Sequence, residues 1–304
     1  MSHDGALVSV SVCICTRNRS SSLKHTIESV LKSQVHPGRM VELLIIDNNS
    51  TDATQDVIQQ YVNQNIIVRT VIEHRLGLSA ARNRAMSESQ YNILLFTDDD
   101  VLVPDDWIEG ISSMYEDPDV HMVQGRIHLH QDVLKPWMED IHLQFLAVFD
   151  YLNTDWLTGA NMSMRRTSVL EIGGFDESFG AGSELGFGDD TIVGIRMANR
   201  FGKIPIYKGR PVIHRPETNR LTRNAFFSRI DKQVDVELAI RAERGIGLPR
   251  QALRPVWINQ LLFLMKVVRE RISHPSSPAT EVEICARRSV ALSLAVKRAR
   301  SAEV

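Results

Sequence analysis

The sequence predicts an α/β protein, a mostly parallel central sheet flanked by helices, with a helical extension at the carboxyl end. Three observations predict it. Short continuous apolar runs, such as Val41 to Ile46 and Ile93 to Phe96, read as strands buried on both faces, as in parallel sheets. Segments with apolar residues at helical spacing separate these runs, so strand–helix–strand units repeat along the chain. Beyond Leu221 the pattern is helical only.

At 304 residues the chain is long enough for one large domain or two modest ones. A hydrophobic share of 43% and a charged share of 24% are those of a soluble globular protein. The net charge of −2 hides an asymmetry: 18 Lys/Arg face 28 Asp/Glu through His214, but 17 face 9 from Arg215 onward. We therefore place a division between residues 1–215 and 216–304. The basic part reads as a solvated helical face, not as a nucleic-acid site. Cys13 and Cys15 lie two apart on a strand, sharing a face but poorly placed to bridge, and no CxxC pair suggests zinc. With Cys285 this usage fits a reducing cytoplasm. Met1 to Gly5 lacks the opening of a secretory signal, and no uncharged apolar run reaches the ~18 residues that span a bilayer.

Val8 to Cys15 is the first strand, followed by Thr16, Arg17, Asn18 and Arg19. Ser20 to Ser22 cap a helix through Leu23, Ile27, Val30 and Leu31. Val41 to Ile46 ends at Asp47. A helix from Thr54 to Tyr61 leads to a strand from Ile66 to Ile72, then His74 and Arg75, then a helix carrying Ala80, Ala81 and Ala85. The fourth strand, Ile93 to Phe96, ends at Asp98, Asp99 and Asp100. In open parallel sheets, ligands bind outside the carboxyl ends of the strands, and these polar groups gather there.

Trp107 to Tyr115 reads as a helix, Val120 to Leu129 as a strand, Lys135 to Leu152 as a helix and Leu157 to Met164 as a strand. Gly159 permits close backbone approach. Gly180 to Gly188, with four glycines, is a candidate lid. Asp189 and Asp190 open a helix over Thr191 to Asn199 that Gly202 stops. Lys203 to Tyr207 and Arg210 to His214 read as two short strands. In the extension, Phe226, Phe227, Ile230 and Val234 form one stripe. Val256 to Met265, followed by Lys266, Arg269 and Arg271, is the most apolar stretch; packing on its own domain or a second subunit is preferred, with a membrane interface as the alternative. His274 to Pro278 reads as a linker, and the last twenty-odd residues as a basic amphipathic helix or a loose tail.

Three adjacent carboxylates at a strand end are hard to explain as packing, since unpaired charges are seldom buried. On a continuing strand Asp98 and Asp100 would point to one side and Asp99 to the other, so that two carboxylates could hold a divalent cation. The bland alternative is a solvated turn.

The order of these signals resembles the family 2 glycosyltransferases with their GT-A fold, a Rossmann-like sheet flanked by helices. The resemblance runs from Val8 to about His214. Its motifs are Cys15-Thr16-Arg17-Asn18-Arg19, Ile46 to Asp52, Gly77 to Asn83, Phe96 to Asp100, Thr158-Gly159-Ala160-Asn161 and Gly188-Asp189-Asp190. It implies inverting transfer of a sugar, of hexosyl type, from a UDP- or dTDP-sugar to an acceptor hydroxyl, assisted by Mg²⁺ or Mn²⁺. Residues 1–215 would then bind the donor and carry the catalysis. The extension would serve acceptor, oligomer or membrane-surface contacts, the last at the inner face of the membrane.

Carried over position by position, Asp47 contacts the base, where its carboxylate suits the imide N–H of uracil or thymine; its alternative is a turn-former. Thr16, Arg17 and Asn18 lie at the donor, and Arg75 and Arg82 suit its phosphates. Asp98 falls near the ribose and Asp100 at the metal, with Asp99 between them. His214 resembles a histidine that completes the metal shell in some GT-A enzymes, although a lone histidine after a strand is more often structural. Thr158, Gly159 and Asn161 shape the sugar and acceptor site, and Trp156 could stack on a sugar. Asp190 is the implied base. The family motif is usually Glu-Asp and here reads Asp189-Asp190, which leaves open which aspartate faces the acceptor. Two competing readings are a sugar-phosphate nucleotidyltransferase, whose glycine-rich basic signature is missing from Cys15 to Ser22, and a non-catalytic nucleotide-sugar-binding module. The acceptor, whether glycan, lipid-linked or another hydroxyl, is not encoded legibly.

Overall fold

The apolar runs form strands, and both faces of those strands are covered, which is why they lack polar alternation. The computed structural model describes residues 7–62, 67–151, 153–183, 185–273 and 280–302. Met1 to Gly5, Ile66, Leu152, Glu184 of the glycine-rich loop and the linker His274 to Pro278 lie outside the described residues.

The chain runs β1 (Val10–Thr16), α1 (Ser20–Leu31), β2 (Val41–Asp47), α2 (Thr54–Gln59), β3 (Ile67–Ile72), α3 (Leu78–Glu88) and β4 (Ile93–Thr97). It continues with β5 (Val101–Leu102), α4 (Trp107–Met114), β6 (Met122–Leu129), α5 (Asp140–Phe145), β7 (Met162–Arg165) and α6 (Arg166–Glu171). α7 (Asp189–Phe201), β8 (Ile206–His214), α8 (Arg223–Glu243), α9 (Val256–Ser273) and α10 (Glu281–Ala302) complete it. The contacts divide the chain into two compact units. The first holds Met1–Gln131, Ala147–Glu184 and Asp189–Arg215; the second holds Asp132–Leu146, Leu185–Gly188 and Pro216–Val304.

The first unit is built on an eight-stranded sheet in the order β3-β2-β1-β4-β7-β6-β8-β5. β1, β2, β3 and β4 pair in parallel, whereas β7 runs antiparallel to both β4 and β6, and β5 antiparallel to β8. Parallel register sets Thr16 beside Asp47 and Asp47 beside Ile72, so these strands end on one edge. Alternation along each strand then feeds two cores. Val10, Val12 and Ile14 face Leu23, Ile27 and Val30 of α1 together with Trp107 and Ile111 of α4. Cys13 and Cys15, with Leu94 and Phe96, face Ala81, Ala85 and Met86 of α3.

Several expected elements differ, each for a local reason. The predicted helix from Lys135 shrinks to α5, opened by a capping box between Glu139 and His142 and closed before Ala147, whose φ is +61°. The predicted strand from Leu157 begins only at Met162, because Gly159–Asn161 form a 3₁₀ turn. The two predicted short strands merge into β8, with a register shift opposite Gly125 and Ile127 that accommodates Pro211. Ser20 to Ser22 do not cap α1 through their own side chains. Asp52 does so from the β2–α2 loop, accepting from Ser20 N and Oγ through Oδ2 and from Thr54 N through Oδ1. One carboxylate therefore fixes two helix starts.

The second unit is helical. Phe226 and Ile230 of α8 pack with Phe145 and Ile284, and Val234 packs with Ala291, Leu292 and Ala295 of α10. Several of its cations are paired within the unit, Arg287 with Asp231, Arg288 with Glu237, and Arg223 and Arg271 with the buried Glu283. Among the described residues no helix is long and apolar enough to cross a membrane.

Candidate active site

At the ends of β1 and β2, backbone and side chains interlock. Thr16 is buried and its Oγ1 donates to Asp99 Oδ2 at 2.7 Å. Arg17 is exposed. Asn18, at φ +54°, accepts from Thr51 N through Oδ1 at 2.8 Å, so it joins the first loop to the second. Asp47 is buried, with Ser50 N donating to Oδ1 at 3.0 Å and Gln55 Nε2 to Oδ2 at 2.9 Å. The turn-forming role foreseen for Asp47 is therefore present; each oxygen has a second acceptor position for another donor. Its neighbour Asn48, to which the motif gave no separate role, holds the third loop: Nδ2 donates to the carbonyls of Glu73 and Arg75, and Oδ1 accepts from Gly77 N.

The three aspartates after β4 do not continue the strand. β4 ends at Thr97, and Asp98 to Asp100 form the turn into β5. Strand alternation therefore does not apply, and the expectation that Asp98 and Asp100 share a side is corrected. Each carboxylate has its own neighbours. Asp98 Oδ1 lies 3.5 Å from Arg82 Nη2. Asp99 accepts from Thr16 and lies 3.8 Å from Arg19 Nε. Burial raises the Asp99 pKa, with the adjacent Asp100 charge adding to it, to about 7 despite the Thr16 hydrogen bond. Asp100 Oδ1 lies 3.2 Å from His214 Nε2, both side chains being buried. This contact follows from topology, since β5 pairs with β8 and sets Val101 opposite His214, and Arg215 N donates to the Asp100 carbonyl.

Asp100 and His214 thus offer one carboxylate oxygen and one imidazole nitrogen at a single point. That donor pair fits a divalent cation, and the nitrogen suits Mn²⁺ better than Mg²⁺. Among the described residues no group of three or more His, Cys, Asp or Glu side chains is arranged to hold a metal. A complete shell would need ligand oxygens from outside the chain, as is usual where phosphates share a cation.

The second acidic cluster opens α7. Asp189 is buried and ion-paired with Arg82 Nη1; Arg82 is itself buried on α3 and also touches Asp98. Burial works against the Arg82 charge, but Asp189, Asp98 and Asp190 together raise its pKa. Gly159 leaves room for this guanidinium, since a Cβ there would meet Arg82 Nη2. Asp190 is held differently. Its Oδ2 accepts from Gly159 N at 2.7 Å and its Oδ1 from Thr191 N at 2.7 Å. Burial first, then the Asp189 charge, raise its pKa to about 6, with Arg82 and the two amides pulling the other way. Thr158 N donates to Gln124 Oε1, which fixes the same loop from β6.

Two expected participants have protein partners of their own. Arg75 is exposed and ion-paired with Glu73 and Glu177. Asn161 is fully buried; its amide accepts from Trp107 Nε1 at 2.8 Å and donates to the Arg126 carbonyl at 2.9 Å. It anchors the turn from below. Trp156 is half-buried, edge-on to Tyr151 at 6.2 Å. Asn83 closes a reciprocal pair with the Phe175 backbone. The lid candidate shows its signal in the backbone, since Gly180, Gly182, Gly186 and Gly188 all have φ between +77° and +95°.

The sheet, with its polar and acidic groups gathered at strand ends, has the GT-A fold of the solved structures it matches. A mannosyltransferase from Pyrobaculum calidifontis, PcManGT, solved with GDP-Man and Mn²⁺, matches at a TM-score of 0.53 and 16% identity over 96% of this chain and 75% of its own. S. aureus TarS 1–349, solved with UDP, matches at 0.54 and 13% over 94% of this chain and 91% of its own. At such identities the likeness concerns the fold. The family follows from sequence: residues 11–173 match the glycosyl transferase family 2 profile, and the chain belongs to that family. Among curated relatives, the glucosyl-dolichyl phosphate glucuronosyltransferase of Haloferax volcanii is 26% identical over 245 residues, 75% of this chain and 76% of that protein. Matches to two further relatives span 47% and 50% of their lengths.

Proposed function

We propose that this glycosyltransferase moves a sugar from a UDP- or dTDP-sugar to an acceptor hydroxyl with inversion, and that Asp190 is the base. The observation that carries this reading is the division of labour at the start of α7. Asp189 is neutralised by Arg82, whereas Asp190 meets no cation side chain directly and has a pKa raised to about 6. A carboxylate tuned upward in this way accepts a proton better near neutral pH than an ordinary aspartate does.

In the proposed reaction, Asp190 removes the acceptor hydroxyl proton as the oxygen attacks the anomeric carbon opposite the leaving diphosphate. Asp47 receives the imide N–H of the base, and Thr16, Arg17 and Asn18 border the donor. Asp98 lies near the ribose, with Asp99 locked to Thr16 beneath it. Thr158 and Gly159 shape the sugar pocket. Asp100 and His214 would hold Mg²⁺ or Mn²⁺, which when bound offsets charge on the departing nucleoside diphosphate. Arg82 acts by holding Asp98 and Asp189. Two GT-A neighbours, PcManGT with GDP-Man and TarS with UDP, carry different bases, so the uracil or thymine preference rests on Asp47. The Haloferax relative is named for a glucosyl-dolichyl phosphate, which supports a lipid-linked acceptor among the hydroxyl acceptors considered.

The direct test is release of nucleoside diphosphate from a panel of nucleotide sugars, with and without EDTA. Release from a UDP- or dTDP-sugar that EDTA suppresses is the expected result. Release from no donor, or release indifferent to EDTA, would count against the donor and the metal assignments respectively.

A further inference from the structure

Helix α9 is amphipathic in the wrong sense for a soluble domain. Trp257, Leu261, Leu264, Met265, Val268 and Ile272 recur at helical spacing along one face, and all six are more than half exposed. The residues of α9 that are buried are polar, Asn259 and Glu270. Asn259 fastens the helix inward, its Nδ2 donating to the carbonyls of Gln251 at 2.9 Å and Ser289 at 3.0 Å. Phe263 packs edge-on against Phe227 on the same inner side. The inner face is therefore already engaged, and the apolar stripe is what the helix presents outward.

Charge decides what covers it. From Ile246 to Ser273 the chain carries Arg250, Arg254, Lys266, Arg269 and Arg271 against one carboxylate, Glu270, which is buried; Arg271 is paired with Glu283 of α10, which leaves four cations for an outside partner. Arg269 is exposed and lies at one margin of the stripe, Arg250 and Arg254 are exposed just before the helix, and Lys266 lies on the side toward Cys285 of α10. A second copy docking by two-fold symmetry would set these margins of like charge against each other. An anionic lipid surface would accept the apolar stripe among its acyl chains and the cations among its headgroups. We propose that α9 is a peripheral docking element for an anionic membrane surface, lying in the interface with Trp257, Leu261, Leu264, Met265, Val268 and Ile272 inserted. The inference is independent of the reaction proposed above.

The test is flotation of the full chain with vesicles of phosphatidylcholine containing phosphatidylglycerol, and with vesicles of phosphatidylcholine alone. Binding to the anionic vesicles, weakened by salt and accompanied by a blue shift of Trp257 emission that Trp257→Phe removes, is expected. Leu264→Ser with Val268→Ser should cut vesicle affinity at least about tenfold while leaving helix content unchanged. Arg254→Glu with Arg269→Glu, which alters no buried side chain, should remove the preference for phosphatidylglycerol. Absence of binding to anionic vesicles would overturn the proposal. So would a dimer in sedimentation that Leu264→Ser dissociates while vesicle binding is absent, which would assign the face to a second copy.

Discussion

The acidic turn after β4 and the acidic start of α7 look alike in sequence and differ in chemistry. Both are runs of adjacent aspartates, and both are tied to Arg82, through Asp98 in the first and Asp189 in the second. In the turn, three carboxylates diverge toward Arg82, toward Thr16 with Arg19, and toward His214. At α7 one carboxylate is ion-paired and its half-buried neighbour is held by the Gly159 and Thr191 amides and the Thr191 hydroxyl. Adjacent acids thus acquire separate tasks from the partners that the fold supplies. Charge pairing makes an anchor, and burial without a directly paired cation raises a carboxyl pKa.

If Arg82 is the common anchor, removing it should disturb both regions. Arg82→Met leaves buried carboxylates without their cation and should cost about 3 kcal/mol in urea unfolding. Combining it with Asp189→Asn should cost less than the sum of the two single variants, because the pair is lost only once. Full additivity would mean that the two acidic regions are not coupled through this guanidinium.

Asp100 offers a sharper separation. Asp100→Asn should weaken Mn²⁺-dependent donor binding by roughly ten- to a hundredfold while leaving metal-free binding little changed. Calorimetry with the nucleoside diphosphate, with and without Mn²⁺, reads this. His214→Gln should fall on the same side of the comparison with a smaller loss. An unchanged Mn²⁺ dependence in both would remove the metal from this pair.

The pH profile probes the other region. Because Asp190 must be ionised to accept a proton, kcat/KM should fall below about pH 6, roughly tenfold per unit. Asp189→Asn removes the like charge and should move this limb to lower pH. The stability linkage has the opposite sense. A carboxyl whose pKa is raised on folding contributes stability fully below its unfolded value near 3.8, and that contribution is lost as pH rises through about 6. A limb near pH 4 would indicate an unperturbed carboxylate.

Much of the sheet was legible because strands covered on both faces leave continuous apolar runs, as β2 and β4 do. The order of polar groups at strand ends was legible for the same reason. What the sequence hid was pairing at a distance. Arg82 and Asp189 are 107 positions apart, and nothing in either neighbourhood marks Arg82 as buried. Asp52 reads as a local turn residue, yet caps two helices. Asn161 sits inside a recognisable motif, yet faces Trp107 in the interior. The helix α9 was visible as the most apolar stretch of the extension, but which side faces outward depends on Asn259 fastening the opposite side. Local chemistry sets the elements, and tertiary partners set which copy of a residue type is reactive.

The central claim is that Asp190, and not Asp189, takes the acceptor proton. Its most direct measurement is the turnover of Asp190→Asn beside that of Asp189→Asn, each with donor affinity and unfolding measured on the same preparation. The account predicts that Asp190→Asn loses about 10³-fold in kcat with donor affinity and stability near wild type, whereas Asp189→Asn loses chiefly stability through Arg82. Near-normal turnover in Asp190→Asn would contradict it.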